Sequence, residues 1–140
     1  MKNKKANFGI LIVDDDKSSL DSLYRSLARL EYMVYRCSVA SLVEEMIIPF
    51  KIKLLLTDIR MPDISGFELA KQLLGDFPEL VIYAYTGFYR ESFEHEGRES
   101  GIKKILPKPL DIRELNNLIE QELMVTKQPI ILKTAEIEYL

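Results

Sequence analysis

The sequence predicts an α/β fold: one doubly wound sandwich, with five parallel strands in the spatial order 2-1-3-4-5 and helices on both faces. Two patterns carry this expectation. Short apolar runs alternate with amphipathic segments from residue 8 to residue 124, and the links between them are short, which implies parallel strands joined by right-handed crossovers. The runs are also apolar at consecutive positions, as in Leu54, Leu55 and Leu56, the mark of strands covered on both faces.

Residues 8 to 13 form the first apolar run and end in Asp14, Asp15 and Asp16. Leu20, Leu23, Tyr24, Leu27 and Leu30 follow at helical spacing. Asp16 or Ser18 caps that helix, since a short side-chain acceptor satisfies an orphan amide at a helix start. Residues 33 to 37 read as a short second strand, and residues 39 to 48 as a second helix ended by Pro49. Residues 54 to 57 are the third strand, with Asp58 at its carboxyl end. Ser65 and Gly66 mark a loop. Phe67, Leu69, Ala70, Leu73 and Leu74 then give a third helix that stops near Gly75 and Pro78.

Residues 80 to 86 are the fourth strand, and Gly87 opens the next loop. Residues 89 to 100 are polar and weakly patterned; they are assigned a fourth helix ended by Gly101. Ile102, Ile105 and Leu106 make a short fifth strand, followed by Pro107, Lys108 and Pro109. Asp111 and Glu114 form a capping box. Ile112, Leu115, Leu118, Ile119 and Leu123 line one face of the final helix. This is the flavodoxin-type order, whose switch point lies between strands one and three.

The organisation is a tail over residues 1–7, a domain over 8–124 and an extension over 125–140. The extension is too short to build a second domain. Ile130, Ile131, Leu132, Ile137, Tyr139 and Leu140 make it too apolar for a purely solvated tail. It is expected to be an extra element packed on the domain or on a second copy, a docking segment, or a linker to a further effector.

A formal net charge of −3 argues against direct nucleic-acid binding, which favours basic domains. Lys2, Lys4 and Lys5, the basic cluster, fall in the terminal tail. The single cysteine, Cys37, permits no internal disulfide and reads as a small buried apolar residue, so a reducing cytoplasm is expected. No apolar run reaches the roughly 18 residues of a membrane span, and no signal-peptide core precedes Asp14. His95, the one histidine, lies in a charged stretch and reads as a solvated surface residue.

The predicted topology brings Asp14, Asp15 and Asp58 to one crevice. Two carboxylates 4 Å apart repel by about 4 kcal/mol at an effective dielectric of 20, so the cluster needs a proton, a lysine or a cation. Oxygen ligands favour a hard cation, and Mg²⁺ accepts one or two carboxylates together with water and phosphate oxygens. Lys108, at the end of strand five, adds positive charge, and Thr86, at the end of strand four, adds a hydroxyl. Together these groups suit a phosphoryl group in transfer, with Asp58 as the nucleophile that keeps it as an acyl phosphate. Each element alone also has a plainer reading. Asp14 to Asp16 suit a helix cap, Asp58 a turn, Lys108 a solvated loop and Thr86 an ordinary strand end.

The constellation resembles the receiver domain of two-component response regulators. The matching residues are Asp14-Asp15 after an apolar strand, Asp58 followed by Met61-Pro62 and Gly66, Thr86 with a small residue after it, and Lys108-Pro109. They span residues 8 to 124 in order. The resemblance implies that Asp58 accepts phosphate from the phosphohistidine of a sensor histidine kinase or phosphotransfer protein. It implies that Asp14, Asp15 and Asp58 bind Mg²⁺ with the backbone carbonyl of Arg60, and that Thr86 and Lys108 contact the phosphoryl oxygens. Such a domain switches a protein-interaction surface and is not a turnover enzyme. The surface in this family is helix four, strand five and helix five, commonly used for partner docking or a homodimer.

The sequence departs from the family where strand five often carries Tyr or Phe, three residues before the lysine. Ile105 stands there and has no ring to swing inward. Tyr83, Tyr85, Phe88 and Tyr89 crowd strand four instead, and Tyr85 or Phe88 is the candidate to take over part of the switching role. Arg60 and Phe88 occupy positions that tune acyl-phosphate hydrolysis in the family. A bulky Phe88 that screens the phosphoryl, with Arg60 paired to it, predicts slow self-dephosphorylation. Gly87 leaves room for the phosphoryl group or a partner residue.

Two other readings are open. A constitutive protein-binding module of the same fold would not be phosphorylated. Asp14, Asp16 and Ser18 also loosely match the Asp-x-Asp-x-Thr of haloacid-dehalogenase-like phosphatases. Ser18 stands where that motif needs Thr or Val, and no later acidic pair follows.

Overall fold

A computed structural model of the protein describes residues 4–124; the extension at 125–140 lies outside the described residues. The strands are β1 (Gly9–Val13), β2 (Met33–Cys37), β3 (Ile52–Asp58), β4 (Val81–Thr86) and β5 (Lys104–Pro107). They form one sheet in the order β2-β1-β3-β4-β5, parallel throughout. The helices are α1 (Lys17–Ala28), α2 (Glu44–Ile47), α3 (Gly66–Asp76), α4 (Ser92–Ser100) and α5 (Ile112–Ile119). The predicted architecture and strand order are those observed.

Alternation along each strand splits the core in two. Ile10, Ile12, Leu54, Leu56, Tyr83 and Tyr85 pack against Leu20, Leu23 and Leu27 of α1 and Leu115 and Ile119 of α5. Leu11, Val13, Leu55, Ile82 and Ala84 pack on the other face against α2, α3 and α4. Both faces are covered, so β1 is buried at every position.

Three local expectations need correction. The second helix does not run from 39 to 48: it breaks into a 3₁₀ turn at Ala40–Leu42 and a single α turn at α2. Val39 and Val43 sit at the two starts without a side-chain cap bond, and β-branched residues lower helix propensity. The third strand begins two residues earlier than its leucines suggest, at Ile52. The reciprocal capping box lies at Ser65 and Glu68 of α3; Asp111 caps α5 by accepting from the amides of Arg113 and Glu114. Lys5 is anchored: it donates to the Leu30 carbonyl at 2.6 Å and lies over the Tyr32 ring.

Other expectations hold. Asp16, not Ser18, caps α1, accepting from the Ser18 amide. Gly101 ends α4 in the left-handed conformation, φ 89°. Cys37 is buried and His95 exposed. Beyond Ile119 the last turn widens into a π-helical segment, Glu120–Met124, so Leu123 still packs on the α1–α5 side.

Candidate functional site

Register assembles the crevice. Val13 pairs with Thr57, so the residues that follow, Asp14 and Asp58, leave the sheet side by side. Asp58 pairs with Tyr85, and Thr86 with Pro107, which sets Lys108 beyond the same edge. Gly66 lets α3 approach β3 closely: its amide donates to the Ile59 carbonyl at 2.8 Å, and a Cβ there would lie 2.5 Å from the Asp58 carbonyl oxygen.

Oxygens of Asp14, Asp15 and Asp58 all lie within 4.8 Å of one another. Asp14 is fully buried, Asp58 is buried, and Asp15 is exposed. Protein donors already engage the buried pair. Asp14 Oδ1 accepts from the Asp16 amide at 2.9 Å; Asp14 Oδ2 accepts from the Tyr85 hydroxyl at 3.0 Å. Asp58 Oδ1 accepts from the Ile59 amide at 2.9 Å. The Lys108 ammonium bridges the pair, 3.4 Å from Asp14 Oδ2 and 3.6 Å from Asp58 Oδ2.

One lysine does not offset the burial of this cluster. Burial first and the Asp14 charge second push the Asp58 carboxyl up to about 6, with Lys108 pulling the other way. Burial, followed by the Asp14 carboxylate, holds the Tyr85 phenol far above its ordinary range, so it is a neutral donor. The donor set is all hard oxygen with excess negative charge, which fits Mg²⁺ and disfavours soft metals.

Thr86 lies at the predicted strand end, but its hydroxyl is bonded to the backbone of Phe88 and not to Asp58. Ile105 faces the α2–α4 core, where Gly97 of α4 leaves room for it: a Cβ on Gly97 would lie 3.1 Å from Ile105 Cδ1. Tyr85 faces the opposite side of the sheet. Phe88 is 56% exposed, with the guanidiniums of Arg60 and Arg90 at 5.3 and 5.2 Å from its ring centre.

Sequence reasoning located Asp14, Asp15, Asp58, Thr86 and Lys108. It did not foresee the bond from Tyr85 to Asp14 or the place of Arg90. The signal for Tyr85 was available: period-two alternation puts it on the face opposite Ala84, one residue before Thr86 and level with Asp58.

The model for the response regulator receiver domain matches residues 10–120. Response regulator receiver protein CpdR of Brucella abortus (strain 2308) is 32% identical over 115 residues, covering 82% of this chain and 96% of CpdR. Response regulator MprA of Mycobacterium tuberculosis (strain ATCC 25618 / H37Rv) is 34% identical over 106 residues, 76% of this chain and 46% of MprA. Among solved structures, a CheY-like response regulator receiver domain protein from Methanospirillum hungatei JF-1 superposes with a TM-score of 0.77 at 29% identity. It covers 84% of this chain and 94% of that one.

Proposed function

The chain belongs to the response regulator receiver domain family, and from that membership we propose that Asp58 accepts a phosphoryl group from the phosphohistidine of a sensor histidine kinase or phosphotransfer protein. The observation that carries this reading is the Lys108 ammonium, 3.6 Å from the Asp58 carboxylate at the open end of the sheet. A carboxylate oxygen of Asp58 forms a bond to phosphorus while the P–N bond to the donor imidazole breaks. The electron pair leaves with the imidazole nitrogen, and the product is an acyl phosphate.

The residues divide the work. The Ile59 amide holds Asp58 Oδ1 and fixes the carboxylate's orientation. Lys108 offsets charge gathering on the phosphoryl oxygens, and Thr86 exchanges its bonds to Phe88 for a phosphoryl oxygen. Asp14, Asp15 and Asp58, with the Arg60 carbonyl, are the residues assigned to Mg²⁺. That ion, when bound, supplies positive charge to the phosphoryl oxygens and offsets the carboxylate cluster.

Phosphorylation adds about −1.5 to −2 charges to an anionic crevice, drawing Thr86 and Lys108 toward Asp58. The ends of β4 and β5 and the start of α4 follow. The output is a changed interaction surface over α4, β5 and α5, offered to a partner or a second copy. The domain therefore works as a switch, not as a turnover enzyme, and a cytoplasmic location suits its donor. Among the described residues no helix is long and apolar enough to cross a membrane. Nothing in the crevice favours the constitutive binding module.

The test is labelling by acetyl phosphate, with and without Mg²⁺, of the parent and Asp58→Asn, read by intact mass. Mg²⁺-dependent labelling that the variant loses supports the proposal. A parent that takes no label under any condition overturns it.

A further inference from the structure

We propose that Tyr85 is a positioning residue for the Mg²⁺ ligand Asp14: its phenol anchors Oδ2 and keeps the carboxylate turned toward Asp15 and Asp58. This inference rests on the Mg²⁺ assignment above and adds a residue to it.

The argument begins with the cost of burying Asp14, which has no solvent exposure. A carboxylate there requires a fixed donor on each oxygen. Oδ1 has the Asp16 amide, which belongs to the start of α1 and is fixed by the backbone. Oδ2 has two donors of different character. Lys108 is on a loop, is partly exposed, and divides its charge between Asp14 and Asp58. Tyr85 is on the buried strand β4, packed between α1 and α5, and its hydroxyl is 3.0 Å from Oδ2.

The two donors therefore separate when the switch operates. A phosphoryl group on Asp58 draws Lys108 away from Asp14. Tyr85 is then the side-chain donor remaining on Oδ2 among the described residues. Its ring also lies 4.9 Å from the Lys108 ammonium, within cation–π reach. The aromatic residue of this crevice is thus a rigid anchor on β4, while the strand-five position, Ile105, is packed on Gly97 of α4 and takes no part. Donors to ligating carboxylates typically contribute 10- to 100-fold to metal affinity.

The experiment is calorimetric Mg²⁺ titration of the full chain and of Tyr85→Phe, which keeps the ring and deletes the hydroxyl. The expected result is Mg²⁺ affinity weakened about tenfold, with acetyl phosphate labelling recovered as Mg²⁺ is raised by a similar factor. Melting curves establish that the variant is folded at the titration temperature. A second measurement uses the parent alone: the Tyr85 ¹³Cζ resonance is expected to shift along the Mg²⁺ titration with the calorimetric midpoint. Equal affinity in parent and variant, or an unmoved resonance, overturns the inference and leaves Asp58 phosphorylation standing. A parent that binds no Mg²⁺ overturns both.

Discussion

Thr86 and Phe88 close a small ring of two hydrogen bonds. The Thr86 hydroxyl donates to the Phe88 carbonyl and accepts from the Phe88 amide, each at 3.1 Å. The group expected to meet a phosphoryl oxygen is therefore satisfied by its own loop, and reorientation exchanges these bonds for charge-assisted ones. Thr86→Ala is expected to cost about 1 kcal/mol, the net worth of such bonds. It should keep labelling at Asp58 while losing the phosphorylation-induced amide shifts at residues 86–92. Denaturant melts and amide spectra with beryllofluoride check both parts.

The raised carboxyl of Asp58 predicts a pH dependence in metal-free protein. Burial and the Asp14 charge hold this carboxyl at about 6, above the ordinary range of an aspartate, so the folded state binds the proton more tightly. That stability is fully present below about pH 4 and is lost as pH rises through about 6. Asp58→Asn should remove this slope and gain about 1–2 kcal/mol at pH 7, a value discounted for solvent at the crevice mouth. Urea melts in EDTA across pH 4 to 7.5 measure it; parallel curves for parent and variant would refute it.

Lys108 is shared between two buried carboxylates. Lys108→Met should destabilise the metal-free protein by about 2–3 kcal/mol, because it leaves buried negative charge without its partner. Mg²⁺ should restore part of the loss, so the melting temperature of the variant rises more on Mg²⁺ addition than that of the parent.

Gly66 and Gly75 form an internal control, both lying in α3. A Cβ on Gly66 meets the Asp58 carbonyl oxygen at 2.5 Å, whereas a Cβ on Gly75 meets nothing within 4 Å. Gly66→Ala should cost about 2–3 kcal/mol and weaken Mg²⁺ binding by shifting Asp58. Gly75→Ala should stabilise by about 0.5–1 kcal/mol through helix propensity alone. Thermal melts of the two variants decide it by their opposite signs.

Phe88, flanked by Arg60 and Arg90, leaves an apolar ring at the loop that follows Thr86. Phe88→Ala is expected to shorten the acyl-phosphate lifetime several-fold by admitting water. Decay of labelled protein after removal of the donor gives the rate, and an unchanged half-life rejects the screening role.

The strand order and the five candidate site positions are readable in the chain because the apolar runs of β1, β3, β4 and β5 each end at a polar or charged residue. A doubly wound sheet delivers all those ends to one edge. The second helix departs from its sequence pattern because its apolar residues have helical spacing while Val39 and Val43 deprive it of caps. The start of β3 is not marked by the apolar pattern, because Ile52 and Lys53 precede the continuous leucines; pairing of Ile52 with Gly9 makes them strand.

By itself the sequence determined the architecture and which residues end the strands, and hence which carboxylates and lysine meet and which hydroxyl stands at the same edge. Those are properties of local periodicity and connection length, both written along the chain. Only the tertiary structure decided how the groups share one another. It bonds Tyr85 to Asp14, divides Lys108 between Asp14 and Asp58, turns Thr86 toward Phe88 and packs Ile105 against Gly97. These pairings depend on register between strands and on the face each side chain takes. Small shifts in either would change the partner without changing the pattern of the sequence.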